Sequence, residues 1–239
     1  MVTMSLAGQT ALVTGGSKGI GKAICLALAE EGANVIIAAR NENEIKETMD
    51  KLKKMGSKAF AIQADVRNEE DVRRLISITI DKCGRLDILI NNAGVAHKKR
   101  LEETTLEEYD EIMDTNLKGV FLCTKYAIPY IRNSPNGKII NISSIGGIHG
   151  IPELSVYCAS KFGVNGITES IASELDGEIK VYSICPGAVD TDMYKSIYAK
   201  RPGLKPEHIA EKVMELVSPD SKVMSGKIIE IQAPPIPQL

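Results

Sequence analysis

A tyrosine and a lysine four positions apart are the pair of side chains best suited to chemistry in this 239-residue chain. Tyr157 and Lys161 lie in a segment whose apolar residues recur at helical spacing, so both are expected on one helix face. Ionising a phenol at neutral pH costs roughly 4 kcal/mol. An ammonium about 4 Å away contributes about 4 kcal/mol at an effective dielectric constant of about 20. Tyr157 can therefore donate and accept a proton near neutral pH, although such pairs are also common on structural helices.

A glycine-rich turn provides a second site for chemistry, the binding of phosphate groups. Residues 14–21 read TGGSKGIG, follow an apolar run and directly precede a helical segment. The N-terminus of a helix presents unpaired N–H groups, and glycines let a pyrophosphate approach them closely. A tight turn without a ligand is the alternative explanation. The sequence predicts a dinucleotide site that includes Gly15, Ser17, Lys18, Gly19, Ile20 and Gly21.

The residue that ends the second predicted strand bears on which dinucleotide fits. An acid there accepts a hydrogen bond from a free ribose 2′-hydroxyl, whereas an arginine accommodates a 2′-phosphate. Arg40 occupies this place, 19 positions after Gly21, and Lys18 adds a second cation. NADP(H) is therefore favoured as the cofactor. NAD(H) stays open, because Glu42 or Glu44 could also reach a ribose.

Short strands alternating with helices must position these residues. Apolar, β-branched runs predict strands near 10–16, 34–40, 58–65, 86–94, 137–144, 180–187 and 226–232. Helical spacing predicts helices between them, including a long one from a capping box at Thr105–Glu108 to about 132. Strands that are nearly all apolar are typical of a parallel sheet covered on both faces. The pattern predicts an α/β fold: one doubly wound Rossmann domain over residues 1–239, with about seven parallel strands and helices on both faces.

Composition excludes several classes of function. A net charge of −2 gives no long-range attraction for nucleic acid or an anionic membrane, and no apolar run approaches the roughly 20 residues of a membrane helix. Five widely separated cysteines without paired spacing are typical of a reduced, cytoplasmic protein. The three histidines do not share the spacing of zinc ligands, so no metal site is expected.

Six motifs, in order along the chain, resemble those of the short-chain dehydrogenase/reductase family. They are TGGSKGIG at 14–21, NNAG at 91–94, TNLKG around Asn116, NISSIGG around Ser144, YCASK from Tyr157 to Lys161, and CPGAVDT at 185–191. Ser144 and Tyr157 are 13 positions apart, which fits the family pattern. Six ordered motifs are far more specific than any single one.

The resemblance implies roles for the four candidate catalytic residues. Tyr157 would protonate a carbonyl oxygen as hydride reaches the carbon, and Lys161 would hold the nicotinamide ribose and lower the pKa of the tyrosine. Ser144 would hydrogen-bond the substrate oxygen, with Ser143 as the alternative. Asn116 would hold a water in a proton path to Lys161, a plain polar helix residue being the alternative.

The resemblance also implies further cofactor contacts and an assembly. Besides the glycine turn, Arg40, Tyr157 and Lys161, the cofactor would be lined by Asp65, Val66, Asn92, Ala93, Gly94, Pro186, Gly187, Val189 and Thr191. Relatives form homodimers or homotetramers through the helices that correspond here to 106–132 and 155–175.

The substrate is less defined than the reaction. Residues 192–204 are expected to form a short, partly apolar lid, and CPGAVDTDM is similar to the 3-oxoacyl carrier-protein reductases, which favours a 3-oxoacyl thioester. Against this, Pro135 and Glu178 stand where carrier-docking arginines are expected. A sugar, polyol or small-ketone dehydrogenase is the alternative. A cofactor-sensing regulatory protein is disfavoured, because such relatives typically lose the tyrosine or the lysine.

Overall fold

The computed structural model describes residues 5–199 and 202–233, in which strands and helices alternate. The strands are β1 (Thr10–Thr14), β2 (Asn34–Ala39), β3 (Ala59–Gln63), β4 (Ile88–Asn91), β5 (Lys138–Ile142), β6 (Lys180–Pro186) and β7 (Ile228–Ile231). The helices are α1 (Gly19–Glu30), α2 (Glu42–Lys54), α3 (Glu69–Cys83), α4 (Leu106–Met113), α5 (Gly119–Ile131), α6 (Ser155–Glu174), α7 (Asp192–Ile197) and α8 (Pro206–Val217).

The seven strands form one parallel sheet in the order β3-β2-β1-β4-β5-β6-β7. The chain winds outward from β1 in one direction and from β4 in the other, so the order reverses between these two strands. In open α/β sheets, ligands bind outside the carboxyl ends of the strands at such a reversal. The doubly wound α/β fold with seven strands, predicted from the sequence, is confirmed.

The sheet carries an apolar layer on each face, because successive strand residues point to opposite sides. Leu12 and Ile36 pack with buried residues of α3, α5 and α6, whereas Val13 and Ile37 pack with buried residues of α1, α2 and α8. Burial on both faces explains why the strands read as almost uninterrupted apolar runs. No helix in the described part of the chain is long and apolar enough to span a lipid bilayer.

The predicted long helix after Thr105 is interrupted in the structure. Its start is confirmed: the Thr105 hydroxyl accepts from the Glu108 N–H and the Glu108 carboxylate accepts from the Thr105 N–H. A π-helical turn over Asp114–Lys118 then separates α4 from α5. This wider turn holds Asn116, whose amide bonds the backbone of Val95. These hydrogen bonds are tertiary, so helical spacing alone did not reveal the interruption.

Candidate active site

A cavity of about 380 Å³ opens at the carboxyl edge of the sheet. Most of its wall consists of residues at or just beyond the ends of β1 to β5, together with α6 and the start of α7. Fourteen residues predicted from the sequence line it: Gly15, Ser17, Lys18, Gly19, Ile20, Arg40, Asp65, Val66, Asn92, Ala93, Gly94, Tyr157, Lys161 and Thr191.

The glycine turn is shaped by close contacts with the loop after β4. Gly15 has φ +63°, and a Cβ added to it would lie 2.9 Å from the Cα of Ala93. A Cβ on Gly21 would lie 2.2 Å from the carbonyl oxygen of Gly15, so Gly21 supports the turn from behind and does not line the cavity. The Asn92 amide donates to the carbonyl oxygens of Thr14, at 3.0 Å, and of Gly15, at 3.1 Å. The turn therefore leads directly into α1 with little side-chain bulk.

Two cations, Lys18 and Arg40, lie at one end of the cavity. The end of β2 and the start of α2 form this part of the wall. The Lys18 ammonium is 3.0 Å from a carboxylate oxygen of Glu44, whose other oxygen accepts from the Ser17 hydroxyl at 3.1 Å. Within the described residues, the exposed Arg40 side chain forms no hydrogen bond or ion pair. Arg40 is therefore the cation at this end that is free to meet an anionic ligand.

Asp65 lies beside these cations and is held as a carboxylate. Burial disfavours its charged form, but hydrogen bonds from Arg67 and the charges of Arg67 and Arg40 together lower the pKa of Asp65. The guanidinium of Arg67 is 2.6 Å from the carboxylate. Asp65 is thus an anion fixed at the wall of the cavity.

Tyr157 and Lys161 lie on one face of α6 at the opposite end of the cavity. The Lys161 ammonium donates to the carbonyl oxygen of Ile142 at 2.9 Å and lies 5.8 Å from the centroid of the Tyr157 ring. Burial lowers the pKa of Lys161 to about 8. Burial also raises the pKa of Tyr157, which the Ser144 hydroxyl lowers only in part. This shift is opposite to the one implied by the resemblance, because desolvation of the phenol dominates and the ammonium points towards Ile142.

The two serines after β5 have different hydrogen-bond partners. The hydroxyl of Ser143 donates to the carbonyl oxygen of Lys161 at 3.1 Å. The hydroxyl of Ser144 accepts from the N–H of Gly146 at 3.1 Å and interacts with the phenol of Tyr157. Ser143 is one of the residues that line the cavity, and Ser144 is not. Ser144 nevertheless has the hydroxyl next to Tyr157, while Ser143 is committed to the backbone of α6.

Asn116 is fully buried and holds the loop after β4. Its amide oxygen accepts from the Val95 N–H at 2.8 Å, and its amide nitrogen donates to the Val95 carbonyl at 2.9 Å and to the Ser160 hydroxyl at 3.1 Å. A Cβ on Gly94 would lie 3.3 Å from the Asn116 amide oxygen and 3.7 Å from the Lys161 nitrogen. Asn116 is therefore close to Lys161, but its amide bonds the protein framework.

Besides Gly21, three predicted cofactor residues lie outside the cavity wall. Pro186 ends β6 and is buried, Gly187 donates its N–H to Ile231 at 2.8 Å, and Val189 packs in the core. Thr191 does line the cavity and caps α7 by accepting from the Tyr194 N–H. Residues 200 and 201 of the predicted lid lie outside the described residues.

Ten further residues line the wall; among them, the sequence offers Ser143 and Glu44 only as alternatives, and Asp192 and Met193 only as part of the lid. The ten are Ala38, Ala39, Asn41, Glu44, Ala64, Thr115, Ile142, Ser143, Asp192 and Met193. Most are direct chain neighbours of predicted residues, so extending each predicted position by one or two residues at a strand end would have found them. Glu44 is different, since it reaches the cavity only because α2 packs against the glycine turn.

The basic residues Lys98, Lys99 and Arg100, which follow β4, each pair with a glutamate. Lys98 pairs with Glu153 at 3.1 Å, and its ammonium lies 5.0 Å from the centroid of the Tyr198 ring in the lid. Lys99 and Arg100 also pair with glutamates, at 2.6 and 2.7 Å. Of the nearby histidines, His97 lies 2.8 Å from a Glu111 oxygen and His149 is exposed.

Comparison with known proteins supplies independent findings. Residues 9–202 match the model of the short chain dehydrogenase family. The chain is 34% identical over 240 residues to 3-oxoacyl-(acyl-carrier-protein) reductase FabG of Thermotoga maritima, covering 95% of this chain and 98% of the relative. It is 40% identical to the 3-oxoacyl-(acyl-carrier-protein) reductase of Synechocystis, covering 82% and 80%. A dehydrogenase/reductase structure from Sinorhizobium meliloti matches with a TM-score of 0.89 at 35% identity, over 96% of each chain.

Proposed function

Because the chain belongs to the short chain dehydrogenase family and is an oxidoreductase, we propose that it is an NADP(H)-dependent enzyme that interconverts a carbonyl and a secondary alcohol. One observation carries the proposal: the phenol of Tyr157 and the ammonium of Lys161 line the same cavity as the glycine turn before α1. A proton donor and a phosphate-binding helix terminus thus share one site at the carboxyl edge of a doubly wound sheet.

The residues present fit a nicotinamide dinucleotide. Gly15 and Gly94 leave room along the wall, the start of α1 offers N–H groups, and Lys18 and Arg40 provide positive charge at one end. When bound, the cofactor would supply or take up the hydride. Arg40 and Lys18 support NADP(H) over NAD(H), and Ala39 offers no carboxylate in the place where an acid would accept from the 2′-hydroxyl.

The chain's own residues would handle the proton and orient the carbonyl. Tyr157 gives its proton to the carbonyl oxygen; its raised pKa keeps the phenol in the neutral form that holds this proton. Ser144, whose hydroxyl lies next to the phenol, donates a hydrogen bond to the same oxygen and stabilises the charge that develops on it. Lys161 provides a cation that can return a proton to the phenolate, and Asn116 keeps the loop after β4 in place.

A 3-oxoacyl thioester is the substrate class that we favour. Several relatives are named 3-oxoacyl-(acyl-carrier-protein) reductases, with identities from 34% to 41%. Lys98, Lys99 and Arg100 are each paired with a glutamate, and Arg132 is paired with Glu178 at 2.5 Å. An acidic carrier would therefore find few free cations here, so recognition would depend on the acyl group. Sugars, polyols and small ketones are the alternative substrates.

A substrate panel tests the proposal. NADPH oxidation is followed by absorbance with 3-oxoacyl thioesters of coenzyme A and of carrier protein, and with sugars and small ketones. We expect turnover of the 3-oxoacyl thioesters, lost in Tyr157→Phe, with cofactor affinity within about twofold of the original because one hydroxyl is removed and the ring is kept. Normal NADPH binding with no turnover across the panel would favour a cofactor sensor instead.

We also propose a homodimer or homotetramer in the cytoplasm. Large apolar side chains are exposed on α4, α5 and α6, among them Leu106 (76% exposed), Tyr109, Phe121 and Phe162. Exposed apolar side chains of this size are expected to be covered in an assembly. The five cysteines are free thiols, which is consistent with a reducing compartment. Light scattering of the purified protein tests the assembly, and a monomer at micromolar concentration would contradict it.

A further inference from the structure

The carboxylate of Glu44 lies inside the proposed cofactor cavity, against the residues expected to bind phosphate. Its two oxygens bond the Lys18 ammonium at 3.0 Å and the Ser17 hydroxyl at 3.1 Å. We infer that Glu44 is a specificity-determining residue: it weakens the preference for the 2′-phosphate given by Arg40, so that the protein binds NAD(H) as well as NADP(H). This inference rests on the proposed function.

Glu44 is held in the cavity by contacts other than its ion pair. The N–H of Glu44 donates to the side chain of Asn41, which caps α2. One turn later, the buried Thr48 hydroxyl donates to the carbonyl oxygen of Ser17 at 2.8 Å and joins α2 to the glycine turn. Because both ends of the first turn of α2 are fixed, the Glu44 side chain remains near Lys18 even if their ion pair opens.

The charge of Glu44 repels a 2′-phosphate at this end of the cavity. Lys18 and Arg40 provide two positive charges, and Glu44 cancels one of them. A phosphate monoester carries about −1.5 to −2 charges at neutral pH, so it would face the carboxylate as well as the two cations. It would also compete with Glu44 for the Lys18 ammonium. Among the described residues, Arg40 would remain without an ion pair, although it also faces the carboxylate of Asp65.

The same carboxylate suits a ribose with a free 2′-hydroxyl. A carboxylate in this region accepts hydrogen bonds from ribose hydroxyls in NAD-binding proteins. Ala39 and Arg40, at the end of β2, offer no such acceptor, whereas Glu44 lines the cavity next to Arg40 and Asn41. Glu44 thus provides the acid that is missing from the strand end.

A surface ion pair is the simpler explanation of the Lys18–Glu44 contact. The side chain of Lys18 is 58% exposed and that of Glu44 is 35% exposed, so their contact contributes little to stability. The Lys22–Glu47 pair, at 3.3 Å, also joins α1 to α2, but neither residue lines the cavity. This second pair provides a matched control, because Glu47→Gln removes the same charge from the same helix.

Isothermal titration calorimetry with NADP⁺ and NAD⁺ tests the inference without measuring turnover. We expect Glu44→Gln to tighten NADP⁺ binding roughly tenfold, since it removes a unit charge near the phosphate. It should weaken NAD⁺ binding by about twofold to fivefold, since an amide oxygen accepts less strongly than a carboxylate. Glu47→Gln should leave the ratio of the two dissociation constants within about twofold of the original, because its charge lies outside the cavity.

Each outcome has a defined meaning. A ratio of dissociation constants that is the same in the original protein and in Glu44→Gln overturns the inference, as does an equal shift in Glu47→Gln. If the original protein binds neither dinucleotide, the proposed function itself is wrong. This result differs from the two that overturn the inference about Glu44. If Glu44→Gln folds poorly, Glu44→Ala is the second variant. It should also bind NADP⁺ more tightly than the original protein does.

Discussion

A buried lysine lies at each end of strand β5, Lys138 in the strand itself and Lys161 in α6, and only Lys161 lies at the candidate site. Burial lowers the pKa of both Lys138 and Lys161 to about 8. Lys161 donates to Ile142, the last residue of β5, and lines the cavity beside the catalytic tyrosine candidate. Lys138 begins β5, donates to Asn136, and lies in register with Lys180, whose charge lowers its pKa further.

The comparison shows that a perturbed pKa does not identify a functional site by itself. The two ammonium groups have similarly lowered pKa values, but one lies at the carboxyl edge of the sheet and the other at the amino edge. In doubly wound folds, the helix N-termini and the crevice between strands lie at the carboxyl edge. Position in the fold therefore decides which buried lysine can meet a substrate or cofactor.

Replacing Lys161 should have the largest effect on activity. We expect Lys161→Met to lower turnover by roughly a thousandfold or more, because it removes both the cation beside the phenol and a proposed cofactor contact. Steady-state NADPH oxidation measures the loss, and circular dichroism checks that the fold is kept. If Lys161→Met retained a tenth of the original turnover, this result would contradict the role proposed for Lys161.

Replacing Lys138 should leave activity unchanged and alter stability. Its folded pKa of about 8 lies below its ordinary value of 10.5, so the unfolded chain binds more protons and the charged lysine destabilises the fold. This penalty is fully present below pH 8 and disappears as the pH rises through 10.5. We expect Lys138→Met to raise the free energy of unfolding by about 1 to 3 kcal/mol at pH 7.

Urea unfolding near pH 7 and near pH 10 measures this gain, with turnover as the control. The gain should be clearly smaller at the higher pH, since the lysine in the folded protein has by then lost the proton whose burial destabilises the fold. If Lys138→Met shows no increase in the free energy of unfolding at neutral pH, or if it loses turnover, then Lys138 is not a purely destabilising residue outside the site.

The asparagines near the two lysines extend the comparison. Asn116→Ala leaves the Val95 N–H and carbonyl without partners, so we expect a loss of about 1 to 3 kcal/mol in the free energy of unfolding. Turnover should fall by roughly tenfold, in kcat more than in KM, because the loop after β4 is displaced beside Lys161. Asn136→Ala, at the opposite end, should cost stability only. A tenfold loss of kcat in Asn136→Ala would contradict the distinction between the two ends of β5.

The smallest effect is expected at Glu153, the ion-pair partner of Lys98. Glu153 has φ +64°, a left-handed conformation that glycine adopts at lower cost. Glu153→Gly relieves this strain but removes the half-exposed ion pair with Lys98, so the free energy of unfolding should change by less than about 1 kcal/mol. Thermal unfolding measures the change, and Lys98→Met, which keeps the strain, is the control. A loss above about 2 kcal/mol in Glu153→Gly would mean that the side chain has another structural role.

Local sequence patterns predicted the parts of the molecule that local forces determine. The apolar strands, the capping box at Thr105 and the glycine turn before α1 follow from residue types and short spacings. The π-helical turn around Asn116 depends on hydrogen bonds to Val95, far away in sequence. Likewise, Glu44 reaches the cavity through the packing of α2, and Lys138 is buried by neighbouring strands. The raised pKa of Tyr157 was also missed, because desolvation depends on the whole fold.

Transfer of deuterium from the cofactor tests whether Tyr157 supports hydride transfer to a carbonyl carbon. The protein is incubated with a 3-oxoacyl thioester and NADPH deuterated at the transferable position of the nicotinamide ring, and the product is analysed by mass spectrometry. We expect the original protein to form an alcohol with one deuterium on the former carbonyl carbon. Tyr157→Phe should form no such product. An unlabelled alcohol, or equal labelling by Tyr157→Phe, would contradict this expectation.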